Sequence, residues 1–438
     1  MTSKKEFTIP YGKEKIEFKL SKDIEINKIK TQSLTTVENY KEKIRKKLKN
    51  PTGTEPLNKI VAKKDDVAIV VSDITRLAYR THDFLPVLVN ELNQYGIKDE
   101  NIDIVVATGT HQPQTTEEDR KVVGKELHNR LNIHNHDSES ENLIDLGTTS
   151  RGTEVKINPI VHRADKVILT GGIVYHTLAG FGGGRKSIAP GVISEKAIQQ
   201  NHGIVLQENG EINPKVRSGK LKNNPVSEDM FEISEIIDPD LILNVIVDGK
   251  KEFVDIVAGD LRKSHLKGCR TVQEAFGVPI ENKSDLVIAS CGGHPKDIQL
   301  YQSVKGLFNA AHAVKENGTI ILVTKCSQGI GPNKFTKWFN NENPKELAKE
   351  LNKNFTISGF VALRTAKINQ KSPIILLSDL PNKKVRKMGM KPVKNMKQAI
   401  SKAKKINNQI KTVNLMPNSK LTFPITNEQQ KIELEELK

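Results

Sequence analysis

Short apolar runs alternate with longer amphipathic stretches along most of this chain. Asp66 to Val71 reads DVAIVV, which predicts a strand buried on both faces, stopped at Ser72-Asp73. Helical spacing follows from about His82 to Tyr95. Ile102 to Ala107 (IDIVVA) predicts a second strand, ending in Thr108-Gly109-Thr110-His111. Thr115-Thr116-Glu117-Glu118 carries the spacing of a capped helix start. A third strand spans Lys166 to Thr170 and ends at Gly171-Gly172. Further strands are predicted over Leu241 to Asp248 and Glu252 to Ala258, then a helix from about Asp260 to Phe276. The pattern restarts with a strand at Leu286 to Ser290, a helix from about Asp297 to Lys315, and strands at Thr319 to Thr324 and Ile374 to Leu377.

Strand and helix in alternation define an α/β class with mostly parallel sheets. A chain of 438 residues exceeds one ordinary core, so two α/β domains are expected. The division expected is 1–276 for the first, 277–284 as linker and 285–438 for a Rossmann-like second domain. The tail after about residue 417 is free to pack on either domain.

Composition narrows the partners. The net charge is +16, and its excess is lysine dispersed through the chain, notably from Lys383 to Lys405. Nucleic-acid sites favour clustered arginine with aromatics, so dispersed surface solvation is the preferred reading. Cys269, Cys291 and Cys326 form no CxxC pair, which excludes a zinc ribbon or disulfide framework and fits a reducing cytoplasm. No apolar run approaches the roughly 18 residues of a membrane span. The first residues, MTSKKEFTIPYGKEKIEF, lack the apolar region of a signal peptide.

The polar signals sit just after strand ends, where open α/β sheets place ligands. By that rule Asp73, Arg76, His111 and His176 converge although distant in sequence. Gly180 to Ser187 (GFGGGRKS) nearly matches a P-loop, but Arg185 stands where the glycine before the lysine belongs, and Ile173 to Ala179 separate the loop from its strand. A plain surface loop accounts for the glycines, not for Phe181, Lys186 and Pro190-Gly191. His202 ends a predicted helix starting near Ser194; a single histidine makes no structural zinc site, but it suits a metal held mainly by a cofactor. His128, His134, His136, His162, His265 and His312 are read as structural, and His82 as a possible helix cap. A last cluster, Gly292-Gly293-His294-Pro295-Lys296-Asp297, precedes Tyr301, Gln302 and Lys305; the last two share a helix face and offer an amide and an ammonium to an anion, or simply form a solvated face.

The motifs SDITRLAYR, ATGTHQPQTTEE, GGIVYH…AGFGGGRK, QQNH and GGHPKDIQLYQSVK together resemble the nickel-dependent lactate racemase family from about Ser72 to Lys305. The resemblance implies a racemase or epimerase of 2-hydroxy acids with its active site in an interdomain cleft. It implies a nickel-pincer nucleotide (pyridinium-3-thioamide-5-thiocarboxylic acid mononucleotide) supplied by cofactor-biosynthesis enzymes. By matching positions, Lys186 would hold the cofactor covalently and His202 would bind nickel. Gly182, Gly183, Gly184 and Asp73 would line the cofactor, although Asp73 is equally placed to orient a base or Arg76. His111 and His176 would be the two catalytic bases, and Arg76, Tyr301, Gln302 and Lys305 would bind a small anionic substrate. The sequence departs from the family pattern at Leu77, Gln112 and His294. The alternatives are a P-loop-like phosphotransferase and a basic nucleic-acid-binding protein.

Overall fold

The structure is a computed structural model that describes residues 4–31, 34–340 and 343–427. It divides into two compact units. One comprises residues 34–207 and 213–274; the other comprises 4–31, 208–212 and the described chain from 275 to 427.

The first unit is built on a six-stranded sheet. Its spatial order is Phe253–Gly259, Leu241–Val247, Lys166–Gly172, Val67–Ser72, Ile102–Ala107 and Asn132–Asn135. Only Phe253–Gly259 runs antiparallel to its neighbour. Counted in chain order, this is the 3-2-1-4-5-6 arrangement of a doubly wound sheet, with the reversal between Val67–Ser72 and Lys166–Gly172. The inner strands are apolar because both faces are covered. Ile69, Val71, Ile104, Val106, Leu243 and Val245 pack against Phe84, Leu85 and Leu88 of the helix Thr81–Gln94. The expected capped start at Thr115 is a full capping box: Thr115 Oγ1 accepts from Glu118 N, and the Glu118 carboxylate accepts from Thr115 N. His82 lies inside the Thr81–Gln94 helix, and Arg80, with φ 61°, occupies the cap instead.

The second unit has a parallel sheet ordered Lys391–Val393, Ile374–Leu377, Val314–Val323, Ser284–Ser290, Thr412–Met416 and Glu25–Lys28. The last strand corrects the expected domain division. The N-terminal residues belong here, not with the glycine loop. The hairpin Lys4–Tyr11 and Glu14–Ser21 alternates buried and exposed positions. Its inward set, Phe7, Ile9, Tyr11, Phe18 and Leu20, packs with Ile288, Ile321, Val323 and Ala399. Burial of that apolar face against the sheet and the helix Met396–Ile406 holds the hairpin to this unit.

The expected linker is also structured. Gly277–Ile280 pairs in parallel with Phe423–Thr426, and Ser284 already begins the first strand of the sheet. The tail is thereby fixed to this unit through residue 426, and residues 428–438 lie outside the described residues. Among the described residues no helix is long and apolar enough to cross a membrane.

Candidate active site

The loops after three strands of the first unit carry the candidate residues. Asp73 and Arg76 follow the strand Val67–Ser72 directly; Thr108 to His111 follow Ile102–Ala107; the glycine loop follows Lys166–Gly172. The strand order reverses between the first and third of these loops, the place where open α/β sheets receive ligands.

Asp73 and His111 are joined. His111 Nδ1 donates to Asp73 Oδ2 at 2.5 Å, and Thr75 Oγ1 donates to Asp73 Oδ1 at 2.6 Å. Burial acts to raise the Asp73 pKa, but the bonds from His111 and Thr75 outweigh it and leave the carboxyl below its ordinary value. An ionised Asp73 fixes the His111 proton on Nδ1 and the ring lone pair on Nε2. Both carboxylate oxygens are thus engaged within the protein, which favours the orienting role of Asp73 over contact with a cofactor. Arg76 donates to Thr75 Oγ1 at 3.0 Å and remains exposed.

His176 is held differently. It pairs in register with Gly180 in a two-residue bridge, Tyr175–His176 against Gly180–Phe181. Its Nδ1 accepts from the backbone N–H of Leu178 at 3.3 Å and of Ala179 at 3.1 Å. The neutral ring therefore carries its proton on Nε2. Burial, followed by the charges of Lys186, His202, Arg76 and Arg185, holds its pKa well below the usual histidine value. His111 and His176 are not equivalent: one presents a lone pair at Nε2, the other an N–H.

The glycine loop folds back on the sheet. Gly183 and Gly184 sit at φ 72° and 52°, in the left-handed region that glycine adopts freely. Asn244, on the strand Leu241–Val247, accepts from Gly184 N at 2.7 Å and donates to Gly171 O at 3.3 Å. Ser187 Oγ donates to Thr170 O at 2.8 Å, tying the loop to the strand that precedes it.

Arg185, which breaks the P-loop pattern, is completely buried. It donates to Ala179 O at 2.7 Å and Ser227 Oγ at 2.9 Å, contacts His265 Nε2 at 3.2 Å, and stacks over Phe231. It is the clamp that ties the loop to the helices behind it. His265, read as structural, serves the same end, with Nε2 also 2.9 Å from Gly182 O.

Next to this clamp, burial and then the charges of Arg185 and Arg76 push the Lys186 amine down to about 7. Lysine at that value is substantially neutral near pH 7, and a neutral amine is a nucleophile. His202 ends the helix Glu195–Gly203, which Ser194 caps as expected. Its Nδ1–H donates to Ile198 O at 2.8 Å, which places the lone pair on Nε2, the arrangement of a histidine prepared to bind metal. Burial and the Lys186 charge hold it neutral, at about 4. The donor set thus fits a covalently anchored group carrying a metal.

Two participants were not singled out from the sequence. Asn244 was available as the one polar residue in the apolar run LILNVIV. Gln114 accepts from Ile74 N and donates to Asp119 Oδ1 at 2.7 Å, pinning the loop that bears Asp73 and Arg76. Tyr301, Gln302 and Lys305 belong to the other unit, on the helix Leu300–Ala310. Lys305 Nζ donates to Gln302 Oε1 at 3.2 Å, so the shared face expected of them is present.

A doubly wound α/β unit that sets Lys186, in its glycine loop, close enough to His202, on the helix that follows, for their charges to interact has the layout of a small-molecule site. Comparison with known proteins makes the class specific. The lactate racemase N-terminal domain matches residues 11–213, and the lactate racemase C-terminal domain matches residues 280–420. The lactate racemase of Thermoanaerobacterium thermosaccharolyticum is 33% identical over 94% of this chain and 97% of its own length. That of Lactiplantibacillus plantarum is 31% identical over 94% of this chain and 97% of its own. The solved lactate racemase apoprotein from T. thermosaccharolyticum superposes with a TM-score of 0.85 over 96% of this chain and 100% of that chain, at 32% identity. A Thermotoga maritima protein at 18% identity and TM-score 0.62, covering 90% of this chain and 100% of its own, shares the fold. This chain belongs to the lactate racemase family.

Proposed function

We propose that this chain inverts the hydroxyl-bearing carbon of a 2-hydroxy acid, lactate or a larger relative, through a 2-oxo acid. The observation that carries the proposal is a desolvated Lys186 amine in the glycine loop whose charge acts on His202, the metal-ready histidine at the end of the helix that follows. Among the described residues no cluster of three or more His, Cys, Asp or Glu side chains is arranged to hold a metal. A metal at His202 therefore takes its other donors from a bound group, which suits a nickel-pincer nucleotide anchored on Lys186, with Gly182 to Gly184 giving it close access to backbone. When bound, that group supplies a reversible hydride acceptor.

The α-hydrogen of a 2-hydroxy carboxylate is poorly acidic, so oxidation and re-reduction is the easier route to inversion. The protein manages the hydroxyl proton and the carboxylate. His111 Nε2 accepts the hydroxyl proton, and the resulting imidazolium is stabilised by Asp73. His176 donates from Nε2–H to the substrate oxygen; it takes the base role only after Nδ1 gives up its two backbone N–H contacts. Arg76, Gln302, Lys305 and Tyr301 are assigned to the substrate carboxylate and its oxo-acid form.

Co-expression with the cofactor-making enzymes, followed by chiral chromatography of lactate, malate, aromatic, branched and sugar 2-hydroxy acids, tests the reading. Equilibration of a pure stereoisomer is expected. ATP turnover without inversion would instead support a phosphotransferase.

A further inference from the structure

A chain of amides beside the Asp73–His111 pair takes no part in the proposed mechanism. The strands Val67–Ser72 and Ile102–Ala107 pair in register as far as Ser72 and Ala107, and the ladder stops there. Asp73 and His111 therefore lie on turns beyond the sheet, where strand pairing no longer sets their separation. Two hydrogen bonds join those turns. One is the Asp73–His111 contact itself. The other, one residue on from Asp73, runs from Ile74 N–H to Gln114 Oε1.

Gln114 is gripped at two further points. Its backbone N–H donates to Asn135 Oδ1 at 2.9 Å, and its Nε2 donates to Asp119 Oδ1 at 2.7 Å. Asn135 Nδ2 donates to the same carboxylate, 3.1 Å from Oδ2. The partners fix how each amide is turned. The backbone N–H groups of Ile74 and Gln114 only donate, so Gln114 Oε1 and Asn135 Oδ1 face them and both side-chain NH2 groups face Asp119. Asp119 is buried on the helix Thr116–Val123, and Asn135 ends the strand Asn132–Asn135. A helix and a strand thus hold the amide that holds the turn after Asp73.

We propose that Gln114, held by Asp119, is a positioning residue that sets the separation of Asp73 and His111 and so keeps the His111 proton on Nδ1. The His111 side chain is exposed, and a single bond between two turns leaves such a ring free to swing. The bond to Ile74, from a residue three along the chain from His111, removes that freedom. A base displaced by about 1 Å loses up to roughly 100-fold in rate. The inference rests on the reading of His111 as a base.

Two measurements on Gln114→Leu test it: initial rates of the cofactor-loaded enzyme, and imidazole nitrogen shifts of the cofactor-free full chain labelled at histidine. The His111 signals are assigned by their loss in His111→Gln. The wild type should show the Nδ1–H tautomer. Gln114→Leu should mix in the Nε2–H form and lose roughly 10- to 100-fold in kcat/KM. A merely structural Gln114 would change urea stability and leave the tautomer alone. Folded Gln114→Leu with an unchanged tautomer or wild-type kcat/KM overturns the proposal, as does a wild-type ring with no preference for Nδ1–H. Should Gln114→Leu not fold, Gln114→Glu carries the test. It keeps an acceptor for Ile74 but sets two carboxylates face to face, and adding Asp119→Asn restores a donor between them. The single variant should lose tautomer and rate and the double variant regain both; no recovery overturns the proposal. Full activity in His111→Gln removes the base reading instead. Lost activity in His111→Gln beside full activity in Gln114→Leu removes the positioning role alone.

Discussion

Asp73 holds the His111 ring by a 2.5 Å hydrogen bond to Nδ1, leaving Nε2 as the atom that faces chemistry. A carboxylate behind a histidine sets its tautomer and supports the positive charge it acquires. Asp73→Asn should lower racemisation by roughly 100- to 10,000-fold while the protein stays folded, as expected for impaired general base catalysis. The Asp73 pKa is lowered in the fold, so its stabilisation is present above the ordinary carboxylate range and lost as pH falls through the lowered value. Urea titrations at stepped acid pH should show that loss in the wild type and not in Asp73→Asn.

The inequality of His111 and His176 leads to unequal mutants. Glutamine keeps a donor N–H near the ring position but cannot take a proton. His176→Gln should therefore retain more activity than His111→Gln in the direction that uses His111 as base. Initial rates from each pure enantiomer decide the matter; equal losses in both directions for both mutants would show two interchangeable bases.

Lys186 should leave a signature in stability. Its pKa falls from 10.5 to about 7 on folding. The unfolded chain thus binds more protons between those values, so stability should rise with pH across that window. Cofactor-free Lys186→Met should lose this rise, read from urea midpoints at several alkaline pH values. Removal of the Arg185 charge should move the labelling midpoint of the Lys186 amine upward, because that charge is the largest contributor after burial.

Asn244 fastens Gly184 and Gly171 to the sheet. Asn244→Ala leaves the buried Gly184 N–H without its acceptor, at a cost of about 1–3 kcal/mol in urea unfolding. The same variant should load less cofactor, measured as nickel per chain.

The sheets were legible where burial on both faces gave uninterrupted apolar runs, as in DVAIVV and IDIVVA. Asp73, Arg76, His111 and His176 were singled out because strand order fixes where the loops after strand ends lie, whereas Lys186, set apart from its strand by Ile173 to Ala179, stood out through its own glycine loop. The hairpin with Phe7, Ile9, Phe18 and Leu20 was missed because lysine and glutamate alternate with the apolar residues and dominate the composition. Its partner sheet is hundreds of residues away, and no local signal names it. Gly277–Ile280 reads as a linker because of its glycine and proline; only pairing with Phe423–Thr426 makes it a strand. The His176 tautomer was hidden because its partners are backbone N–H groups, set by a turn rather than by residue type.

The measurement that tests the central claim most directly is the intact mass, with peptide mapping, of the chain co-expressed with the cofactor-making enzymes. The account predicts a nucleotide-sized, sulfur-bearing adduct on the peptide containing Lys186, absent from Lys186→Ala. An adduct of undiminished amount in that mutant, or inversion by an enzyme carrying no adduct, would contradict it.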